Sequence, residues 1–158
     1  MTILYAEDDK LQSDSLEANL RSEFPDAELC RIINAKAFKA RTAEFRAASP
    51  AIIIIDIMLP WQGTDEVDEP PPSELATSGY RHIGLHCQRW LAEDPVLRDI
   101  PVILYTELAR SSLQLDLKEL PMNVRYVRKD AGYATLNRAI RQLTKTGVEP
   151  ESQSPSYS

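Results

Sequence analysis

Carboxylates, a hydroxyl and an ammonium stand at the ends of four apolar runs in this chain. Glu7, Asp8 and Asp9 close the run 3–6, and Asp56 closes 51–55, the most apolar stretch. Thr106 closes 101–105, and Lys129 follows 124–128. In a parallel α/β sheet the ligand site lies beyond the carboxyl ends of the strands. If the runs are parallel strands, these positions converge on one rim. Two neighbouring carboxylates and a third at the next strand end repel one another unless a cation lies between them. Oxygen ligands at this density suit Mg²⁺, which keeps several waters and takes few carboxylates. With Mg²⁺ bridging Asp56 to a phosphoryl group, the carboxylate can act as a nucleophile on phosphorus. A lysine then supplies a point cation, and a threonine hydroxyl can donate to a phosphoryl oxygen. Taken singly each residue is ordinary, since an Asp after a strand is usually a cap or turn residue. Their joint occurrence, in order and at run ends, is what points to a site.

The elements that must position these groups follow from periodicity. The run 3–6 reads as a first strand. Residues 13–24 carry Leu16, Leu20 and Phe24 at four-residue spacing, an amphipathic helix stopped by Pro25. A short strand over 27–33 precedes a helix over 35–48, with Phe38 and Phe45 seven apart on one face. The run 51–57 is rich in β-branched residues, as expected of a central strand covered on both faces. A helix over 80–93, a strand over 100–105, a weaker helix over 108–120, a strand over 123–127 and a helix over 131–145 complete the pattern. Alternating strands and helices imply parallel strands with right-handed crossovers.

Segment 58–78 breaks the pattern. It holds Pro60, Gly63 and the run 70–72 of three prolines, so no regular element is expected there. Within 61–80 lie Asp65, Glu66, Asp68, Glu69 and Glu74, with no Lys or Arg. A loop this long in a compact domain is usually functional or disordered. One reading is that it shields the site or selects the partner, and the other is a solvated insertion. Residues 147–158 are polar and proline-containing, the composition of a disordered tail.

The 158 residues suffice for one domain with a real core. No apolar run approaches the ~20 residues of a membrane span, and no signal peptide is visible. A cytoplasmic location and no membrane partner are the expectation. Net charge of −6 argues against general nucleic-acid affinity. Cys30 and Cys87 give neither a disulfide framework nor ligand spacing, and both are read as reduced. His82 and His86, four apart, share a face of the predicted helix. Without a third ligand nearby, they are read as surface residues rather than a metal site.

The fragments 3–9, 54–60, 101–106 and 126–129 together resemble the receiver domains of two-component response regulators, of the chemotaxis-type single-domain kind. The resemblance covers residues 1–146, with 61–78 as an inserted loop. It implies a flavodoxin-like, doubly wound (βα)5 fold with a five-stranded parallel sheet in the order 2-1-3-4-5. It also implies that Asp56 accepts phosphate from a histidine, on a sensor histidine kinase or a phosphotransfer protein. Glu7 and Asp8 would be the acidic pair holding Mg²⁺ with Asp56, and the backbone carbonyl of Met58 a further ligand. Asp9 is then a helix-start residue. Thr106 and Lys129 would contact the phosphoryl group, and Tyr126 would be the aromatic switch that turns inward as Thr106 moves. The implied activity is a signalling switch rather than an enzyme, at most phosphorylating and dephosphorylating itself. Output would run through a downstream protein target, phosphate relay or a homodimer.

The chain departs from the family's pattern at Glu107, at Asp130 and in the longer loop 61–78. Glu107 stands where a small residue usually follows the threonine, and Asp130 stands where proline usually follows the lysine in a cis peptide. A cis bond before a non-proline residue costs about 3–4 kcal/mol, so a different local turn is expected. Met58 and Leu108 occupy the positions that influence water attack on the acyl phosphate, and neither can orient water. Slow hydrolysis of the phosphoryl group follows. The competing reading is a phosphorylation-independent interaction module, favoured by Glu107, Asp130 and the acidic loop and opposed by Asp56, Thr106 and Lys129. An aspartyl-phosphate phosphatase would want an acid where Met58 stands. A flavin carrier would want a first loop rich in Gly, Ser or Thr to cradle phosphate.

Overall fold

A computed structural model of the protein describes residues 1–67, 69–78, 80–113 and 119–145. Five parallel strands form one sheet, β1 (Thr2–Ala6), β2 (Glu28–Ile32), β3 (Ile52–Ile55), β4 (Val102–Thr106) and β5 (Val124–Arg128), in the order 2-1-3-4-5. The helices are α1 (Lys10–Glu23), α2 (Ala35–Ala40), α3 (Thr42–Ala48), α4 (Ile83–Glu93) and α5 (Tyr133–Lys145). The doubly wound architecture and its strand order agree with the expectation.

β3 shows why the sequence reads as it does. Its four residues are all isoleucine and all buried. Side chains alternate across a strand. Ile53 and Ile55 join Phe38, Phe45, Cys87 and Leu91 on the side of α2, α3 and α4. Ile52 and Ile54 join Leu16, Leu20, Leu136 and Ile140 on the side of α1 and α5. A strand covered on both faces has no position for a polar residue until it leaves the sheet, and that position is Asp56.

The predicted helix over 35–48 is two helices. Arg41 leaves helical geometry between them, and Thr42 Oγ1 donates to the Lys39 carbonyl at 2.6 Å. Phe38 and Phe45 still meet edge-on, with ring centres 5.2 Å apart, but from different helices. The weaker helix expected over 108–120 is also corrected. Its described part has no α-helix but 3-10 geometry at Arg110–Ser112 and at Glu119, while 114–118 lie outside the described residues. The tail predicted over 147–158 likewise lies outside them.

α1 and α5 are joined by a polar ladder. Ser15 and Tyr133 hydroxyls meet at 2.7 Å, Asn19 and Asn137 exchange amide hydrogen bonds at 2.8 and 3.1 Å, and Arg141 reaches Glu23 at 2.6 Å.

The acidic insertion contains a 3-10 helix, Ser73–Ser78, where no regular element was predicted. Leu75 is fully buried in the core beside α4. Lys36 meets Glu69 at 2.8 Å, Lys39 meets Glu74 at 3.0 Å, and Trp90 Nε1 donates to Glu74 at 2.8 Å. The amides of Ala35 and Lys36, at the start of α2, donate to the carbonyls of Pro60 and Trp61. Those first-turn donors have no partner within their own helix, so the insertion begins by capping α2.

Asp94, just past α4, closes the opposite end. Its carboxylate accepts from the amides of Val96 and Leu97 and from Arg46 Nε at 2.8 Å. The Arg46 guanidinium beside it holds its carboxyl below the usual carboxylate range. A depressed folded-state pKa contributes stability that is present above the unfolded value, near pH 4, and is lost as pH falls through the folded one. Asp94→Asn keeps an acceptor for the two amides but no charge. Its stability deficit should therefore narrow as pH falls below about 4, read by urea unfolding at a series of pH values. A deficit that persists unchanged through that range would show that the charge contributes nothing.

The carboxylate rim and its lysine

Register brings the rim together. Ala6 pairs with Ile55, so the next residues, Glu7 and Asp56, leave the sheet level with each other. Asp56 N donates to the Ala6 carbonyl and Glu7 N to the Ile32 carbonyl, which carries sheet bonding into the rim itself. Thr106 pairs with Arg128, and Lys129 follows directly. Arg31 on β2 donates to the carbonyls of Glu7 and Asp8, both at 3.1 Å, and pins the loop before α1. Asp9 accepts from Gln12 N at 2.9 Å as the cap of α1, the helix-start role expected of it.

Lys129 Nζ lies 2.7 Å from Glu7 Oε2 and 2.9 Å from Asp56 Oδ2, and it also donates to Gln12 Oε1. An ammonium has three donors, and all three are used. Asp56 Oδ1 accepts from Met58 N at 2.9 Å, so the carboxylate is held at both oxygens. Glu7, Asp8 and Asp56 offer oxygens that all lie within 4.8 Å of one another. Together with Met58, Glu107 and Lys129 they line a pocket of about 250 Å³.

Electrostatics follow from burial. Glu7 is 3% exposed and Asp56 8%. Burial pushes the Glu7 carboxyl up to about 7, against the pull of Lys129 and with added repulsion from Asp56. Burial also raises Asp8, with Asp56 and Asp9 adding to the shift. Burial works against the Lys129 ammonium, but its hydrogen bonds to Glu7 and Asp56 outweigh that and hold it above its usual value. Three carboxylates against one ammonium fit a hard divalent cation, which takes oxygen ligands of this kind.

Thr106 is fully buried at the end of β4, and its Oγ1 accepts from Leu108 N at 3.2 Å. The half-buried Tyr126 donates its hydroxyl to the Leu108 carbonyl. One peptide segment therefore ties Thr106 to Tyr126. Glu107 is exposed. Asp130 forms an ion pair with Arg128 at 3.0 Å inside a 3-10 turn, Lys129–Ala131, and no described peptide bond is cis.

The structure corrects one reading and adds three residues. His86 is buried, at 6% exposure, and not on the surface. His82 precedes α4 in left-handed geometry, so the two histidines do not share a helical face. Gln12, Arg31 and Gly84 escaped the sequence reading. Gln12 and Arg31 act through contacts with residues distant in sequence. Gly84 N donates to the Ile57 carbonyl at 3.0 Å, and a Cβ there would lie 2.2 Å from the Asp56 carbonyl oxygen. A glycine at the start of a predicted helix was the available signal.

No family model matches the chain, and no curated protein does. Solved structures do. The signal receiver domain of a DNA-binding response regulator from Colwellia psychrerythraea 34H has a TM-score of 0.63 at 20% identity, covering 92% of this chain and 98% of that one. The receiver domain of a sensor histidine kinase from Pseudomonas aeruginosa PAO1, with magnesium coordinated in its active-site cleft, has a TM-score of 0.62 at 20% identity, covering 90% and 96%. The Mn²⁺-bound form of response regulator Rcp1 has a TM-score of 0.58 at 16% identity, covering 98% and 99%. With the sheet order and the acidic rim already in place, these likenesses fix the architecture: this chain has the fold of a signal receiver domain.

Proposed function

We propose that the chain is a phosphoacceptor switch, taking a phosphoryl group onto Asp56 from a phosphohistidine on a sensor kinase or phosphotransfer protein. The observation that carries this reading is the arrangement of Asp56. It is a buried nucleophile held by Met58 N and Lys129, beside two carboxylates placed for a cation. Two structural neighbours hold magnesium and Mn²⁺, which supports the same reading.

In the proposed reaction an Asp56 oxygen attacks phosphorus, the P–N bond breaks, and its electron pair stays on the departing imidazole nitrogen, which takes a proton from solvent. Glu7, Asp8, Asp56 and the Met58 carbonyl would hold Mg²⁺, whose charge offsets that of the phosphoryl oxygens. Lys129 keeps a positive charge at the carboxylate throughout. Thr106 exchanges its contact with Leu108 N for one with the phosphoryl group, which shifts the segment holding the Tyr126 hydroxyl. The chain's own chemistry extends to its phosphorylation and the hydrolysis of the product, and output passes to a downstream protein.

The experiment is intact-protein mass spectrometry after incubation with acetyl phosphate and Mg²⁺. Gain of one phosphoryl group only with Mg²⁺ supports the switch. The phosphorylation-independent module rests on Glu107, which adds a carboxylate to the pocket lining. No gain in the parent, together with gain in Glu107→Ala, would support that second reading.

Lys129→Met should slow phosphorylation about tenfold or more, through loss of a preorganised cation, read as the rate of mass gain. An unchanged rate would remove Lys129 from the chemistry. Met58 is 58% exposed over the pocket, and neither it nor Leu108 offers a polar side-chain group to orient water. The phosphoryl group should therefore last on the order of minutes or longer, since hydrolysis lacks a positioned base. A half-life of a few seconds in Mg²⁺ would contradict this.

A further inference from the structure

β5 is an edge strand, paired with β4 alone. Beside it Arg110, Arg125, Arg128 and Arg138 line a groove of about 780 Å³, with Tyr126 and Gln142 in its wall. Four guanidinium groups around one groove reverse the local sign in a chain of net charge −6.

Their charge is largely uncompensated. Asp130 meets Arg128 at 3.0 Å. Arg125 donates to the neutral amide of Gln142 at 2.6 Å. The Arg110 guanidinium lies 5.3 Å from the centre of the Tyr126 ring, a contact that leaves its charge intact. Among the described residues Arg138 makes no hydrogen bond or ion pair. Elsewhere Lys36, Lys39, Arg46 and Arg141 each meet a carboxylate.

We infer that this groove docks an acidic polypeptide segment of a partner protein. Guanidinium forks match carboxylates two bonds at a time. The half-buried Tyr126 adds an aromatic wall, and aromatic residues and arginine are the types enriched where protein interfaces are strongest. A long polyanion such as nucleic acid or an anionic membrane would also meet the net negative field of the whole chain. A short acidic segment meets mainly the groove. Docking stands on the groove alone. Its control by phosphorylation, through Tyr126 and the Leu108 segment, rests on the function proposed above.

The test is fluorescence anisotropy of a fluorescein-labelled hexaglutamate peptide with the full chain at about 50 mM salt, where screening is weak. Saturable binding is expected. It should weaken about tenfold or more in Arg125→Gln/Arg138→Gln and in Arg110→Gln/Arg138→Gln, and stay unchanged in Lys10→Gln, which lies outside the groove lining. Circular dichroism confirms that each variant folds. No saturable binding, binding as tight as the parent's in both double variants, or displacement of the peptide by a poly-dT oligonucleotide at lower concentration would overturn the proposal. Repeating the titration with Asp56→Asn keeps this result separate from the phosphoacceptor reading. That variant should bind the peptide whether or not the parent takes up phosphate.

Discussion

Asp56→Asn takes up no phosphoryl group from acetyl phosphate and Mg²⁺ under conditions in which the parent gains one. The substitution removes the nucleophilic oxygen and little else. An asparagine carbonyl still accepts from Met58 N, or from Lys129 Nζ, which hold the two carboxylate oxygens at 2.9 Å each. The fold should survive. Removing one buried charge near Glu7 relieves repulsion while weakening an attraction to Lys129. These terms oppose each other, and a buried ion pair is weak evidence of net stability. The expected change in unfolding free energy is within about 1 kcal/mol. Mass spectrometry reads the first effect and urea unfolding the second. Continued phosphorylation would move the acceptor to another residue. Loss of phosphorylation together with gross unfolding would leave the role of Asp56 unproven and call for Asp56→Glu.

Gly84→Ala should be strongly destabilising, against the sign that helix propensity predicts. Propensity alone favours alanine over glycine in a helix by about 1 kcal/mol. Here the added Cβ would lie 2.2 Å from the Asp56 carbonyl oxygen and 2.7 Å from Ile57 Cα. Both obstacles are backbone, so no side chain can rotate away. α4 must then retreat from the end of β3 and lose the bond from Gly84 N to the Ile57 carbonyl. Overpacking of this kind typically costs 1–3 kcal/mol and occasionally more, and a broken buried backbone bond adds about 1 kcal/mol. A net loss of about 3 kcal/mol is expected. Any retreat also displaces Asp56, so phosphorylation of the folded fraction should fall. Stability within about 0.5 kcal/mol of the parent, the range of neutral surface changes, would show that α4 can move freely against β3.

These two positions mark how far the sequence could be read. Asp56 was legible because a strand covered on both faces excludes polar residues, so the first aspartate after it marks the strand's end. The alternation of runs and periodic helices gave the parallel α/β class for the same local reason. Glu7, Asp8, Thr106 and Lys129 were legible as ends of such runs, and Asp9 as a cap. Periodicity, however, reports only neighbours along the chain. The break at Arg41, the burial of His86 and the 3-10 geometry of Arg110–Ser112 after β4 were decided by packing between elements. The insertion read as acidic and irregular, yet Leu75 enters the core and Glu69 and Glu74 pair with lysines of α2, about 35 residues away in the chain.

The division is sharpest at the rim. Sequence determined which groups stand at the strand ends. Only the tertiary structure decided that Lys129 divides its three donors among Glu7, Asp56 and Gln12, residues up to 122 positions away. Only it placed Gly84 against the Asp56 backbone. The physical reason is that side-chain type and spacing fix which face of an element is apolar, whereas close approach and hydrogen-bond partition depend on the register and docking of whole elements.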